Sequence, residues 1–216
     1  MNRGYVIEKK TGGTPVPPDN MYKCGGIAMS ESESGGTGVP PVFSQKITRR
    51  NLPHWQLAGA TYFLTWRCAV GIMLTESERD IVLAAIRYWG GIRWNVLTAV
   101  VMPDHVHVLA CPLAKGAGFW DLGELIHSVK SYSAHQISKQ RIQQGYGMIG
   151  QAPGSSFSIW QDERYDRWMR DEDEIAEKWE YIVGNPVKSG LVEQAAQYCW
   201  LYEKKTGETP VPPEKD

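Results

Sequence analysis

Residues 101–112 read "VMPDHVHVLACP". Pro103 and Asp104 are turn formers, and "HVHVLACP" (105–112) after them alternates with the period of a strand. The run before them, "RWNVLTAVV" (93–101), is β-branched and apolar, so the two segments read as partners in an antiparallel hairpin. On the second strand His105 and His107 are two residues apart and share one face. Val106, Val108 and Ala110 take the other face, toward a core. Two adjacent imidazoles make half of a metal site, but they equally suit a solvent-facing strand. His54, His127 and His135 lack a comparable neighbour.

Working outward, "TYFLTWRC" (61–68) reads as another strand. "TESERDIVLAAIRYWGG" (75–91) reads as a helix, with Thr75 and Glu78 as a capping box and Gly90–Gly91 as the stop. Asp121 and Glu124 open a long helix to about residue 140, striped by Leu122, Leu125, Ile126 and Val129. A Gly/Ser-rich loop (145–156) follows, and "FSIWQDERYDRWM" (157–169) reads as extended or irregular. "DEDEIAEKWEYIVGNP" (171–186) is a last helix. Its acidic start suits the helix dipole, and Pro186 is expected to end it. This order predicts an α+β layer, a mostly antiparallel sheet with helices on one face.

Of the 216 residues, 1–45 and 203–216 are rich in Gly, Pro, Ser and Thr and read as tails without packed structure. Residues 46–202 remain as one domain. Hydrophobic content of 42% is enough for a packed core, and nine Trp with ten Tyr suit packing or base stacking alike. The net charge of −1 gives no global nucleic-acid signal, so any basic surface must be local. Cys24, Cys68, Cys111 and Cys199 are scattered without a CxxC pair, so neither a disulfide framework nor a structural zinc site is expected. There is no apolar run of membrane-spanning length and no signal-peptide core at the start. A cytoplasmic protein is the expectation.

The last helix offers further site candidates. Its apolar stripe is Ile175, Ala176, Trp179, Ile182 and Val183. Tyr181 falls nearly opposite that stripe, with Asn185 one turn on. A tyrosine off the apolar face is ordinarily a surface residue. Tyr132 in "SVKSYSAH" is a second tyrosine of interest, on the flank of its own helix's stripe and expected to be partly buried.

Three segments stand in this order: "MPDHVHVL", "WQDERYDRWMRDEDE" and "YIVGNPVKSGLV". Together they resemble the REP-associated tyrosine transposases, relatives of the single-tyrosine HUH transposases of bacterial insertion elements. The resemblance covers about residues 46–200. It implies a ferredoxin-like α+β domain with an appended tyrosine helix. It also implies His105, His107 and Asn185 as ligands of Mg²⁺ or Mn²⁺, and Tyr181 as nucleophile; Tyr132 is the competing nucleophile that the helix reading offers. The implied activity is metal-dependent cleavage of single-stranded DNA hairpins and strand transfer through a 5′-phosphotyrosine. A phenol ionises near pH 10, so its proton needs help to leave. Glu177 is either that helper or a solvated acid.

DNA contacts are expected from Lys46, Arg49 and Arg50 and from Arg164, Arg167 and Arg170. These last three interleave with Trp160, Tyr165 and Trp168. Lys188 and Lys130 are weaker candidates. A charged surface over a Trp-rich packing layer explains the same pattern equally well. Two rivals stay open. One is a metal-dependent hydrolase using His105, His107 and Asp104 with water as nucleophile; the other is a hairpin-binding protein without chemistry. Monomer and homodimer are both open.

Near-identical strings recur at the ends: "TGGTPVPP" (11–18), "SGGTGVPP" (34–41) and "TGETPVPP" (206–213). Gly-Gly-Thr is encoded GGN-GGN-AC, whose reverse complement, GTN-CCN-CC, reads Val-Pro-Pro in frame. Each string can therefore be encoded by an inverted repeat around a short loop, with Glu208 as one imperfection. The expectation is that these peptides are translated palindromic DNA. A Pro-rich linker or ligand is the other reading.

Overall fold

The computed structural model describes residues 46–49, 53–57, 59–145 and 158–205. The end strings, Arg50 and most of the Gly/Ser-rich loop lie outside them. In chain order the elements are β1 (Lys46–Arg49), β2 (Pro53–Gln56), β3 (Tyr62–Cys68), α1 (Glu76–Tyr88), β4 (Trp94–Val101) and β5 (His105–Pro112). There follow the short β6 (Ala114–Lys115) and β7 (Gly118–Phe119), then α2 (Leu122–Gln143), β8 (Trp160–Trp168), α3 (Glu172–Lys188), a 3₁₀ turn and β9 (Leu201–Glu203).

The hairpin read from 93–112 is the centre of the sheet. Val101 faces Val106, and the Met102 N–H donates to the His105 carbonyl at 2.8 Å. The main sheet runs β8-β3-β5-β4-β9, with every neighbouring pair antiparallel. β1 and β2 form a separate antiparallel pair.

Side-chain alternation sorts the core into two layers. Leu64, Trp66, Val106 and Val108 point to one face, where Val82 and Ile86 of α1 and Leu125, Ile126 and Val129 of α2 cover them. Phe63, Leu97, Val100 and Leu109 point to the other, against Ile175, Trp179, Ile182 and Val183 of α3. α1 and α2 thus share a face as expected, and the appended α3 closes the reverse. The central strands are apolar in both phases because both faces are covered.

Both helix starts read from sequence are present. The Glu78 N–H donates to Thr75 Oγ1 and the Thr75 N–H to Glu78 Oε2; Asp121 caps α2 at the Glu124 N–H. The segment 157–169 is more regular than expected, as β8 pairs along β3 at the sheet edge. Pro186 does not end α3, which runs to Lys188. A proline in the last turn removes only one intrahelical donor, and burial of Asn185 and Pro186 outweighs that loss. β9 carries the sheet to Glu203, and the Lys204 N–H donates to the Leu97 carbonyl at 2.9 Å, past the expected boundary at 202. Cys68 and Cys199 are free thiols, whereas Cys111 is disulfide-bonded, which the cysteine spacing did not foretell. Among the described residues no helix is long and apolar enough to cross a membrane.

Candidate active site

β5 delivers His105 and His107 to the face covered by α3, and each imidazole is fixed through Nδ1. His107 Nδ1 lies 2.7 Å from Thr65 Oγ1, its direct cross-strand partner on β3. His105 Nδ1 lies 2.6 Å from Asp104 Oδ1. A carboxylate partner places the His105 proton on Nδ1 and leaves a lone pair on Nε2. The two rings are 4.7 Å apart. Phe63 stacks on His107 at 5.3 Å and 22°, which holds that ring from the side.

His107 is 5% exposed, so the histidines are not a plain solvent-facing pair. Its Nε2 is buried without a hydrogen-bond partner. Burial, reinforced by His105 and Arg67, pushes the His107 imidazole down to about 3. The unfolded chain binds this proton near pH 6.5, whereas the folded, metal-free chain does not. That contribution to stability is therefore whole above pH 6.5 and is lost as pH falls toward 3. Urea unfolding of the metal-free protein should show a slope approaching about 1.4 kcal/mol per pH unit across this window. His107→Gln should remove that contribution, leaving the slope that Glu78 and the other depressed carboxylates add below about pH 4.3.

α3 brings the tyrosine. The Tyr181 ring lies 5.2 Å from the His107 ring and 5.9 Å from Phe63, with Tyr181 38% exposed. The helical wheel put Tyr181 nearly opposite the apolar stripe, yet its ring packs on the sheet. The flank of α3 as well as its stripe meets β3 and β5, and a phenol is long enough to reach. Because α3 stays helical through Pro186, Asn185 keeps its place one turn beyond Tyr181, and it is buried. Lys188 places Nζ 5.4 Å from the centre of the Tyr181 ring. Glu177 pairs with its neighbour Lys178 at 2.6 Å.

Tyr132 does not join this group. It is 54% exposed, not partly buried as expected, and lines a groove with Ala84, Tyr88 and Trp89. Those residues belong to the α1–α2 layer, across the sheet from the histidines. Trp160 needs correction as a DNA contact. It is 4% exposed, packs in the core and donates from Nε1 to Ser133 Oγ, because β8 turns it inward. Arg164 faces the α2 side, opposite Trp66 in register, 3.9 Å from Asp166. Arg167 and Arg170 both pair with Glu174, tying the end of β8 to the start of α3. Lys130 donates to the Gln161 carbonyl. Lys46 and Arg49 lie in β1.

Sequence reasoning missed Thr65 and Phe63. Alternation in "TYFLTWRC" puts them on one face, but only the register of β3 on β5 sets Thr65 against His107. Asp104 was weighed as a metal ligand; in this structure its Oδ1 contacts His105 Nδ1. Among the described residues no three His, Cys, Asp or Glu gather to hold a metal. The donors that fit a cation are the free Nε2 atoms of the histidines, which would need a non-acidic third ligand such as the Asn185 amide.

This arrangement is a histidine pair on an antiparallel sheet with a helix-borne tyrosine beside it. Among solved structures the chain is similar to a REP-associated tyrosine transposase bound to a REP hairpin. The two share 20% identity over 71% of this chain and 82% of that one, with a TM-score of 0.55. It also matches a protein of Deinococcus radiodurans R1 named as a candidate transposase, at 18% identity over 62% of this chain and 94% of that one. That TM-score, 0.38, is too low to define a shared fold. No protein-family model and no curated protein matches the chain. The mixed α+β fold of this chain, with its antiparallel five-stranded sheet, matches the fold of the REP-associated tyrosine transposase.

Proposed function

We propose that this chain cleaves and rejoins single-stranded DNA at hairpins, with Tyr181 as nucleophile. The observation that carries this reading is the approach of the Tyr181 ring to within 5.2 Å of His107, while Tyr132 lies beyond the sheet. A fold neighbour bound to a DNA hairpin supports the choice of substrate.

Tyr181 Oη attacks the phosphorus in line, and the bond from phosphorus to the 3′-oxygen breaks. That oxygen takes up a proton as it leaves, and the phenolic proton passes to solvent or a nearby base. The products are a 5′-phosphotyrosine and a free 3′-OH. Attack by the 3′-OH of another strand reverses the step, so the phosphoester count is unchanged and no nucleotide is consumed. Lys188 supplies positive charge for the phenolate or the phosphate. Asp104 and Thr65 engage the imidazoles at Nδ1, which leaves both Nε2 atoms to serve the reacting group. His105, His107 and Asn185 would hold Mg²⁺ or Mn²⁺, which would supply Lewis-acid charge at the phosphate oxygens. Thr65→Val removes the orienting partner of His107, so Mn²⁺ affinity measured by calorimetry should fall about 10- to 100-fold.

The substrate we favour is the hairpin encoded by the chain's own repeats. In "GGTPVPP" (12–18) and "GGTGVPP" (35–41) every first and second codon base of the two arms pairs. Only wobble bases face wobble bases. The gene's nucleotide sequence should show those wobble positions complementary; random wobble would leave the strings as ordinary peptide.

The test is incubation of that hairpin with Mn²⁺ or Mg²⁺, followed by denaturing gels. A metal-dependent covalent adduct is expected. Cleavage without an adduct would favour the water-using hydrolase, and tight binding without cleavage would leave a hairpin-binding protein.

A further inference from the structure

Beside the histidine pair, the face that carries them continues onto β3 and β8. Thr65 stands opposite His107, and Arg67 opposite His105. On the next strand Tyr165 stands opposite Thr65. Tyr165, Thr65 and His107 therefore form one row across three strands. Cross-strand spacing puts Tyr165 about 10 Å from His107 along that row.

This strip is open where α3 does not cover it. Tyr165 is 51% exposed, although its ring touches the edge of Phe63 at 6.3 Å. Phe63 thus lies between Tyr165 and Tyr181. Arg67 is 62% exposed in its side chain, and its one ion pair among the described residues, to Asp104, is 3.9 Å long. An exposed pair at that distance contributes little and yields readily to a phosphate. An aromatic ring held from one side and a nearly unengaged guanidinium, both on the face of the proposed metal ligands, suit a nucleobase and its phosphate.

Resting on the hairpin-cleavage reading, we infer that Tyr165 and Arg67 form the platform for the single strand that flanks the scissile phosphate. Tyr165 stacks a base on the order of three nucleotides from the reacting phosphorus, and Arg67 contacts a backbone phosphate. Tyr165 is a positioning residue and forms no bond to DNA. It sets which part of a hairpin's single-stranded flank reaches Tyr181.

The experiment uses the full chain with Mn²⁺ and two fluorescent DNAs. One is the repeat-encoded hairpin with single-stranded flanks on both sides; the other is the same hairpin with none. Binding is read by anisotropy across a salt series, and adduct formation on denaturing gels. Tyr165→Ala should weaken binding of the flanked DNA about tenfold, within the 5- to 150-fold span of one base–aromatic stack, with its salt slope unchanged. Tyr165→Phe should restore binding and keep the adduct. Arg67→Ala should flatten the log–log salt slope by about 0.7, the signature of one phosphate on a single strand. The unflanked hairpin should bind all variants alike. If the native protein binds and cleaves the flanked hairpin while Tyr165→Ala and Arg67→Ala match it, the platform is wrong and the cleavage reading stands. If the native protein binds neither DNA, both fall. Loss of the adduct in Tyr165→Phe would overturn the positioning role and make Tyr165 the nucleophile.

Discussion

Tyr181→Phe is expected to abolish the covalent protein–DNA adduct, with cleavage falling at least about a thousandfold. The substitution removes one oxygen and keeps the ring that packs on Phe63 and His107. Stability should therefore stay within about 0.5 kcal/mol of the native protein, as for most changes that create no cavity. Loss of chemistry without loss of fold is what separates a nucleophile from a packing residue. Tyr132→Phe, made across the sheet, should change neither. An adduct that persists in Tyr181→Phe would remove Tyr181 from the role and turn attention to Tyr165, which shares the histidine face.

The second large effect is on stability. Glu78 is 2% exposed and serves two elements at once. It accepts from the Thr75 N–H at 2.9 Å in the capping box and from Arg141 Nε and a terminal guanidinium N–H at 2.5 and 2.8 Å. It therefore ties the start of α1 to the end of α2. Burial alone would raise this carboxyl, but the Arg141 and Thr75 hydrogen bonds bring it below the usual carboxylate range. Glu78→Ala leaves the Arg141 charge without its carboxylate and α1 without half its cap, and should cost about 3–5 kcal/mol in urea unfolding. The double variant with Arg141→Ala should cost clearly less than the two single losses added together. Because the folded carboxyl is depressed, this stabilisation is whole above about pH 4.3 and fades as pH falls through the folded value. Additive losses would mean that the pair is not coupled.

Much of the site was legible in the residues. The HxH spacing put both imidazoles on one face, because side chains on a strand alternate with period two. The capping box at Thr75 and the helix start at Asp121 were legible because caps are local hydrogen bonds between residues three apart. Tyr181 and Asn185 were tied together by one helical turn. These are short-range rules, and they hold whatever the rest of the chain does.

The remainder depended on contacts between distant segments. Nothing local tells Trp160 that β8 will turn it into the core while Tyr165, on the same strand, stays open. Phase alone does not decide which face of an edge strand is covered. Nor does the helical wheel reveal that the flank of α3 meets His107, since that depends on where α3 lies on the sheet. Pro186 reads as a stop by its lost donor, yet burial keeps α3 intact to Lys188. The sequence by itself determined the elements, the histidine pair and the candidate tyrosine. Only the tertiary structure decided which tyrosine stands beside the histidines, and that Thr65 holds His107, because strand register and helix placement are set by the packing of the whole core.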